Sequence, residues 1–466
     1  MSPTIELLAP AGTIKNMRYA FAYGADAVYA GQPRYSLRVR NNDFQLENLK
    51  TGINEAHASG RKFFVASNLL PHNNKLKRYL EHMQPVIDMK PDALIMADPG
   101  LIMMVRERWP EIPVHLSVQA NTMNYASVKF WQSVGISRII LSREISLDEV
   151  AEIRQQCPDM ELEVFVHGAL CIAYSGRCLL SGYFNHRDAN QGSCTNACRW
   201  KYGMQEGKED VSGDVLDATT MQEVMNPQPF STSISSCGGL ERHPEADKIY
   251  MLEEESRKGD LMPVMEDEHG TYIMNSRDLR AIEHVERLVK IGVNSLKIEG
   301  RTKSHYYVAR TTQLYKQAMN DALAGREFDW SLMRKLDSLA NRGYTDGFYQ
   351  RLDTAAHQNY EQGASLRFNQ RFVGELIGYD EALGLAEFDV KNKFSVGDSV
   401  ELIDPKGNHT FTISSMIDAR KNKPIESALG SDYKVKIPVP YVPSKEALLA
   451  VNVKENVTKN KQTVMV

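Results

Sequence analysis

Seven short apolar runs alternate with longer amphipathic stretches through the first 167 residues, and this alternation restricts the possible folds more than any other feature of the chain. Runs that are apolar on both faces and alternate with helices are typical of a parallel sheet covered by helices on both sides. An eighth run, NSLKIEGR, follows only after a long insertion. The first seven runs are IELLAPAG, DAVYAG, KFFVASN, DALIMADPG, VHLSVQAN, RIILSRE and LEVFVHG.

The spacing of these units, about 20–30 residues, favours an α/β fold of the (β/α)8 TIM-like barrel type. An open doubly wound sheet is the alternative. We predict that the barrel spans residues 1–355 and carries an insertion at about 168–270, typical of a surface excursion. In the first unit, Thr13 is expected to cap a helix and Gly24 to end it.

The pattern changes near residue 365. From there the sequence alternates apolar and polar residues with a period of two, and Gly, Asp and Asn turns interrupt it. This predicts a small β-barrel-like C-terminal domain over residues 365–466.

Composition limits the possible locations and partners. The net charge of the 466-residue chain is only −4, so any nucleic-acid contact requires a local basic patch. The N-terminal MSPTIELLAPAG has no basic and apolar regions of a signal peptide, and no run approaches the roughly 18 apolar residues of a membrane span. We therefore expect a cytoplasmic protein with no membrane partner and with reduced thiols.

Four of the six cysteines lie within 28 residues, at Cys171, Cys178, Cys194 and Cys198. In a reducing compartment such a cluster indicates a metal site or a reactive site rather than disulfides. The spacing C-x6-C-x15-C-x3-C fits structural zinc poorly, because only the last pair has zinc-like separation. Four thiolates in a glycine-containing loop favour an iron–sulfur cluster, with zinc and ordinary buried thiols as alternatives.

Polar residues follow most of the predicted strands, where a barrel of this type places its active site. Glu163 and His167 on the seventh strand and Glu299 after the eighth are candidate catalytic groups. Arginines recur in the same positions and suit an anionic ligand, because a guanidinium binds a carboxylate or phosphate through two hydrogen bonds. Arg–Glu pairs across the rim are the alternative. The candidate arginines are Arg34, Arg38, Arg143 and Arg301.

The segment EVFVHGALCIAYSGRCLLSGY resembles the signature of the peptidase U32 (collagenase-like) family, E-x-F-x2-G-[SA]-x-C followed by G-x-C-x-x-S. The N-terminal ELLAPAGTIKNMRYAFAYGADAVYAG, QGSCTNACRW and SLKIEGRTKS extend the resemblance over nearly the whole chain. The signature positions are filled by Glu163, Phe165, Gly168, Ala169, Cys171, Gly176, Cys178 and Ser181.

This resemblance implies tRNA modification: dioxygen-independent hydroxylation of the wobble uridine to 5-hydroxyuridine, with prephenate as co-substrate. It also implies a [4Fe-4S] cluster on the four clustered cysteines, and hence iron–sulfur assembly machinery as a partner. Prephenate is a dicarboxylate, which agrees with an arginine-rich mouth. The alternatives are a U32-type peptidase acting on collagen-like substrates and a non-catalytic RNA-binding partner with a structural cluster.

A tRNA anticodon loop must present its base to a recessed site, and such bases commonly stack on aromatic rings. Tyr35 and Tyr174 are the candidate stacking residues. We expect phosphates to be bound by basic residues of the β domain, although each of these taken alone is more typical of a solvated surface. These residues are Lys391, Lys393, Arg420, Lys421 and Lys423.

Overall fold

Eight parallel strands close into a barrel in the computed structural model. The structure describes residues 5–32, 34–36, 43–169, 278–339, 343–350, 370–431 and 433–453. It also describes, as backbone only, five strands between 202 and 273. The first seven barrel strands are β1 (Glu6–Pro10), β2 (Ala27–Gly31), β3 (Lys62–Ser67), β4 (Ala93–Met96), β5 (Val114–Leu116), β6 (Arg138–Ile140) and β7 (Glu161–Ala169). The eighth is β14 (Ser295–Ile298).

The closure of the barrel depends on β14, which pairs in parallel with both β1 and β7. Ser295 is the partner of Glu6 on one side and of Glu163 on the other. The remaining strands pair with their sequence neighbours. This confirms the predicted barrel, and the parallel sheet has no open edge as the alternative would require.

Helices cover the outside of the barrel, and several of them begin at side-chain caps that the sequence supplies. The Thr13 side chain accepts the Asn16 N–H, 3.0 Å away, and Gly24 follows the helix with φ +104°. Ser304 caps the longest helix. The helices are α1 (Ile14–Ala22), α2 (Leu46–Ala58), α3 (Asn73–Leu76), α4 (Tyr79–Asp88), α5 (Pro99–Arg108), α6 (Tyr125–Ser133), α7 (Leu147–Gln156), α8 (Val285–Ile291), α9 (His305–Leu323) and α10 (Ser331–Asp337). Within the described ranges, none of them has the length and apolar character that a membrane crossing requires.

The chain between β7 and β14 forms an antiparallel sheet of its own, in the order β12-β11-β10-β8-β9. These strands are β8 (Tyr202–Glu209), β9 (Val215–Asp217), β10 (Ile249–Glu254), β11 (Leu261–Asp267) and β12 (Gly270–Ile273). The chain then returns through β13 (Asp278–Arg280), which pairs antiparallel with the end of β7, and β15 (Tyr344–Thr345) pairs with β13.

The C-terminal domain is antiparallel, as predicted. Its larger sheet has the order β20-β19-β25-β16-β17-β24-β21-β22, and β18 pairs with β23 separately. The strands are β16 (Gln370–Asp380), β17 (Leu385–Val390), β18 (Asn392–Ser395), β19 (Ser399–Ile403), β20 (His409–Thr412), β21 (Ile417–Asp418), β22 (Lys423–Pro424), β23 (Ser427–Gly430), β24 (Lys434–Pro438) and β25 (Leu448–Asn452).

The two domains are packed together along α1 and α9. Ile403 and Leu448 of the C-terminal domain belong to the same buried apolar cluster as the barrel core. Arg310 of α9 is fully buried and forms a two-pronged ion pair with Glu401 of β19, with N–O distances of 3.2 and 3.0 Å. Tyr23 Oη lies 2.8 Å from the carbonyl oxygen of Ile403.

Candidate active site at the barrel mouth

Charged side chains fill the lower half of the barrel interior, where apolar residues would be usual. Arg138 Nη1 lies 2.6 Å from a Glu6 carboxylate oxygen and 3.1 Å from a Glu163 oxygen. Lys297 Nζ lies 2.7 Å from the other Glu163 oxygen. Burial alone would raise the pKa of the Glu6 carboxyl, but Arg138 holds it below its ordinary value. Such a chain of alternating charges is stable only while every member keeps its partner.

Glu163 therefore occupies a closed position. Its side chain is fully buried, and both carboxylate oxygens are bound by cations. Its predicted catalytic role stays a prediction, and the structure gives it a second role as the anion that allows Lys297 and Arg138 to be buried together.

Lys297 lies one layer of side chains above Glu6 and Glu163, nearer the mouth. Its ammonium group is 4.4 Å from the centre of the Tyr29 ring and 5.4 Å from that of Phe165. Burial lowers the pKa of Lys297 below its ordinary value, and the Glu163 carboxylate opposes that shift. The side chain thus combines a buried amine, two aromatic faces and one counter-ion.

Glu299 and two of the predicted arginines form the next layer. The Arg143 guanidinium lies 3.8 Å from the centre of the Phe165 ring, and one of its nitrogens is 3.7 Å from a Glu299 oxygen. Arg143 Nε is buried and has no hydrogen-bond partner among the described residues. Arg301 Nη1 donates to Ser36 Oγ, 2.8 Å away. Glu299, Arg143 and Arg301 thus all follow the C-terminal ends of barrel strands, where Glu299 pairs with Arg143 and Arg301 binds Ser36.

Two glycines make this layer possible, and sequence analysis did not select either for that reason. A Cβ on Gly31 would lie 2.4 Å from Arg301 Nη1, so only glycine leaves room for the guanidinium there. Gly168 has φ +104°, and a Cβ on it would lie 2.5 Å from the carbonyl oxygen of Glu299. These contacts pack the ends of β2 and β7 directly against the segment after β14.

Arg34 and Tyr35 lie apart from this layer. Both bind the same histidine of α4: Arg34 Nη1 is 2.8 Å from His82 Nε2, and Tyr35 Oη is 2.8 Å from His82 Nδ1. The Tyr35 ring is buried, 3% exposed, and meets the Tyr79 ring edge-on at 4.8 Å. In this arrangement its face is already covered by protein.

His167 faces outward from the barrel wall instead of into the mouth. Its ring is buried among the rings of Tyr307, Tyr315 and Tyr344, with centre-to-centre distances of 5.8, 5.4 and 5.4 Å. Tyr315 Oη donates to the carbonyl of Val166 and lies 3.3 Å from His167 Nδ1, so the Nδ1–H tautomer fits the site. Burial lowers the pKa of His167 to about 3, so the ring is neutral at pH 7.

A histidine that was not selected from the sequence lies inside the barrel. His115 of β5 is buried edge-on against Phe64, and its Nδ1 has no hydrogen-bond partner among the described residues. Burial, reinforced by Arg138 and Lys297, lowers its pKa well below the ordinary value. Its neutral ring is therefore part of the same polar interior as Lys297.

Arg38, Tyr174 and the four clustered cysteines lie outside the described residues. The last described residue before the cysteine segment is Ala169, at the C-terminal end of β7. Cys171, Cys178, Cys194 and Cys198 therefore stay predicted metal ligands.

The fold and the buried charged layer define a (β/α)8-barrel protein with its candidate site at the C-terminal ends of the strands. The chain belongs to peptidase family U32: the model of that family matches residues 12–359, and that of the U32 C-terminal domain matches residues 369–450. This confirms the resemblance inferred from the sequence.

Two relatives of known name match nearly the whole length of the chain, and a third matches part of it. The chain is 59% identical over 456 residues to "tRNA hydroxylation protein P" of Escherichia coli K12, with 98% of each chain covered. It is 57% identical over 459 residues to the protein of the same name from Haemophilus influenzae, again with 98% coverage of each. It is also 30% identical over 325 residues to "23S rRNA 5-hydroxycytidine C2501 synthase" of Escherichia coli K12, covering 70% of this chain and 41% of that protein.

Proposed function

We propose that this chain is an enzyme that hydroxylates tRNA, converting the wobble uridine to 5-hydroxyuridine with prephenate as co-substrate. The observation that carries the proposal is the 59% identity to a tRNA hydroxylation protein over 98% of both chains. A match of this extent includes the barrel and the C-terminal domain together, rather than a shared fold alone.

The charged layer at the mouth supports an anionic co-substrate. Arg143 and Arg301 are both buried or nearly so, and a guanidinium in such a site binds a carboxylate strongly through parallel hydrogen bonds. Arg143 Nε has no hydrogen-bond partner among the described residues, so it can donate to a ligand. We assign one prephenate carboxylate to each of these two arginines, with Lys297 beneath them.

The four clustered cysteines are proposed to hold a [4Fe-4S] cluster. The donor set fits, because four thiolates supply one ligand for each iron. Such a cluster would supply electron-transfer or Lewis-acid chemistry. The chain's own residues would bind the co-substrate, orient the base and exclude water at the mouth.

The base itself requires a stacking surface. Since the Tyr35 ring already packs against Tyr79, it can serve only if the segment around it moves. Tyr174 remains the other proposed stacking residue.

Nucleoside analysis of tRNA tests the proposal. In cells lacking this protein we expect 5-hydroxyuridine-derived nucleosides to fall, and the wild-type gene to restore them. R301K should restore them poorly, because lysine loses the fork of parallel N–H donors. G31A should resemble R301K, since the new Cβ displaces the Arg301 guanidinium. G378A is the matched control, because its Cβ would make only an ordinary contact at 3.9 Å.

Two results would contradict this assignment. The first is unchanged tRNA modification in cells that lack the protein. The second is protein purified without air that contains no iron, where about four irons per chain are expected.

A further inference from the structure

The C-terminal domain lies lengthwise along α1 and α9, in an orientation that sets one end of it beside the barrel mouth. Glu375 of β16 contacts the beginnings of both helices, with 2.6 Å to Lys15 Nζ and 3.6 Å to His305 Nε2. Helices of a (β/α)8 barrel begin on the side where the parallel strands end. The middle of β16 is therefore on the mouth side.

The opposite end of the domain faces the other side of the barrel. Tyr23, just after the C-terminal end of α1, lies 2.8 Å from the Ile403 carbonyl and 3.0 Å from that of Glu446. Lys445 is close enough to Glu55, near the end of α2, to influence its carboxyl electrostatically. The turn at Asp404 and the segment at Ser444, which hydrogen-bond to each other, thus lie away from the mouth.

A row of basic residues, here named the mouth strip, runs from the mouth onto this domain. Asn16 Nδ2 donates to the Lys303 carbonyl, which joins the start of α1 to the loop that carries Arg301. Glu375 lies between Lys15 and Lys391, and Arg371 donates to the Lys393 carbonyl, 2.7 Å away. The members of the mouth strip are Lys15, Lys303, Arg371, Lys391 and Lys393.

The mouth strip is locally positive although the chain as a whole is not. Among the described residues, two carboxylates form ion pairs with its five cations, Glu375 and Asp389. The side chains of Arg371 and Lys393 are exposed. The net charge of the whole chain is −4, so this excess of cations is a feature of one surface.

We propose that the mouth strip binds the backbone phosphates of the nucleotides that flank the base inserted into the barrel mouth. The inference rests on the proposed function, since it takes tRNA as the substrate. A base that enters a recessed site leaves its neighbours at the rim, and phosphates there require exposed cations next to the mouth. The mouth strip starts two residues beyond Arg301, and Lys15, Arg371 and Lys393 are its exposed cations.

The orientation of the C-terminal domain separates into two groups the basic residues that the sequence suggested for phosphate binding. Lys391 and Lys393 belong to the mouth strip. Arg420 and Lys421 lie in the β21–β22 turn and Lys423 begins β22, the edge strand of the sheet; β17 and β24 lie between these strands and β16. Lys391 and Lys393 are therefore the residues of this set to which we assign phosphate binding.

Charge reversal in the full-length protein tests this. The variant R371E/K393E changes two exposed members of the mouth strip, and K406E/K445E makes the same charge change at the end away from the mouth. We would measure tRNA binding to wild type and both variants by fluorescence anisotropy at several salt concentrations, with thermal unfolding as a check on folding.

We expect R371E/K393E to bind tRNA several-fold more weakly than wild type. The slope of log K against log salt should become less steep by about 1.4 to 1.8, because two phosphate contacts are lost. K406E/K445E should keep the wild-type slope. Equal behaviour of the two variants overturns the proposal. Modification of tRNA in cells is measured separately. If the wild-type protein binds tRNA but restores no hydroxylated nucleoside in cells, the proposed function is overturned and the proposed binding surface is not.

Discussion

Several side chains inside the barrel are charged although they are buried. Lys297 and Glu163 are both almost completely buried, and their charges are compatible with the interior only because they lie 2.7 Å apart. Removing one partner of a buried pair leaves an uncompensated charge, which costs far more than the pair contributes as a whole.

Lys297→Met is accordingly expected to lower the free energy of unfolding by about 3–5 kcal/mol. The double variant E163Q/K297M should lose less than the sum of the two single variants, because no unpaired carboxylate remains. Urea unfolding of the four proteins forms a double-mutant cycle that checks this. Strict additivity would show that the two side chains do not interact.

His167 gives a pH dependence whose sign follows from its burial. Its pKa is about 3 in the folded protein, against about 6.5 in an unfolded chain. The unfolded state therefore binds the proton first, and stability falls as the pH drops from about 6.5 toward 3. Above that window the histidine adds no pH dependence.

Replacing His167 by phenylalanine should flatten this decline, because an aromatic ring that does not titrate then fills the tyrosine-lined site. Between pH 6 and 4 we expect the stability of wild type to fall more steeply than that of H167F, by up to about 1.4 kcal/mol per pH unit. Urea unfolding at several pH values measures it. The exposed His72→Gln is the control and should keep the wild-type pH dependence.

Among the elements, the pairing of β7 with β14 decides how the site is arranged. The register shifts between Lys297 and Ile298, and His167 pairs where regular alternation would place Val166. A bulge of this kind re-aims the side chains beyond it. It explains why Glu163 and Phe165 face the interior while His167 faces the helices.

Gly168 lies at the end of the β7–β14 pairing, and its replacement should lower the stability of the protein. Gly168→Ala combines a left-handed backbone, φ +104°, with a Cβ 2.5 Å from the Glu299 carbonyl oxygen. We expect a loss of stability greater than about 1 kcal/mol, since alanine strains such a backbone position. Thermal unfolding measures it, and Gly378→Ala, which has room for the methyl group, should be nearly neutral. A neutral G168A would show that β7 and the Glu299 segment can separate freely.

At the scale of the whole molecule, a buried ion pair, Arg310–Glu401, joins the barrel to the C-terminal domain. Arg310 is 2% exposed, so its charge depends on the other domain for compensation. The domains are therefore coupled by electrostatics as well as by the apolar contacts of Ile403 and Leu448.

Glu401→Ala should therefore destabilise the protein by about 3–5 kcal/mol and tend to separate the unfolding of the two domains in calorimetry. R310M/E401A should recover part of the loss. The exposed pair Lys290–Glu286 serves as a control, and Glu286→Ala is expected to cost less than about 1 kcal/mol. If E401A is as mild as E286A, the buried pair does not couple the domains.

The parts of this protein that local chemistry specifies could be predicted from the amino-acid sequence. The runs that are apolar on both faces specify strands buried between interior and helices, and caps such as Thr13 and Ser304 specify where helices begin. The segment SLKIEGR places Lys297 on the eighth strand and Glu299 and Arg301 just beyond its C-terminal end. The antiparallel sheet of the insertion was not predicted, because segments such as YGMQEGKE have too few apolar residues to show the period.

Which of the selected residues meet depends on long-range packing and became known from the structure. His167 shares its spacing with Glu163 and Phe165, but the bulge that turns it outward depends on pairing between strands far apart in sequence. Tyr35 is covered because α4 brings Tyr79 and His82 to it. Lys391 lies beside Glu375 at the start of α1, whereas Lys423 lies on β22 at the edge of the sheet. Sheet order and domain orientation arise from long-range packing, on which a residue's own neighbours in sequence carry no information.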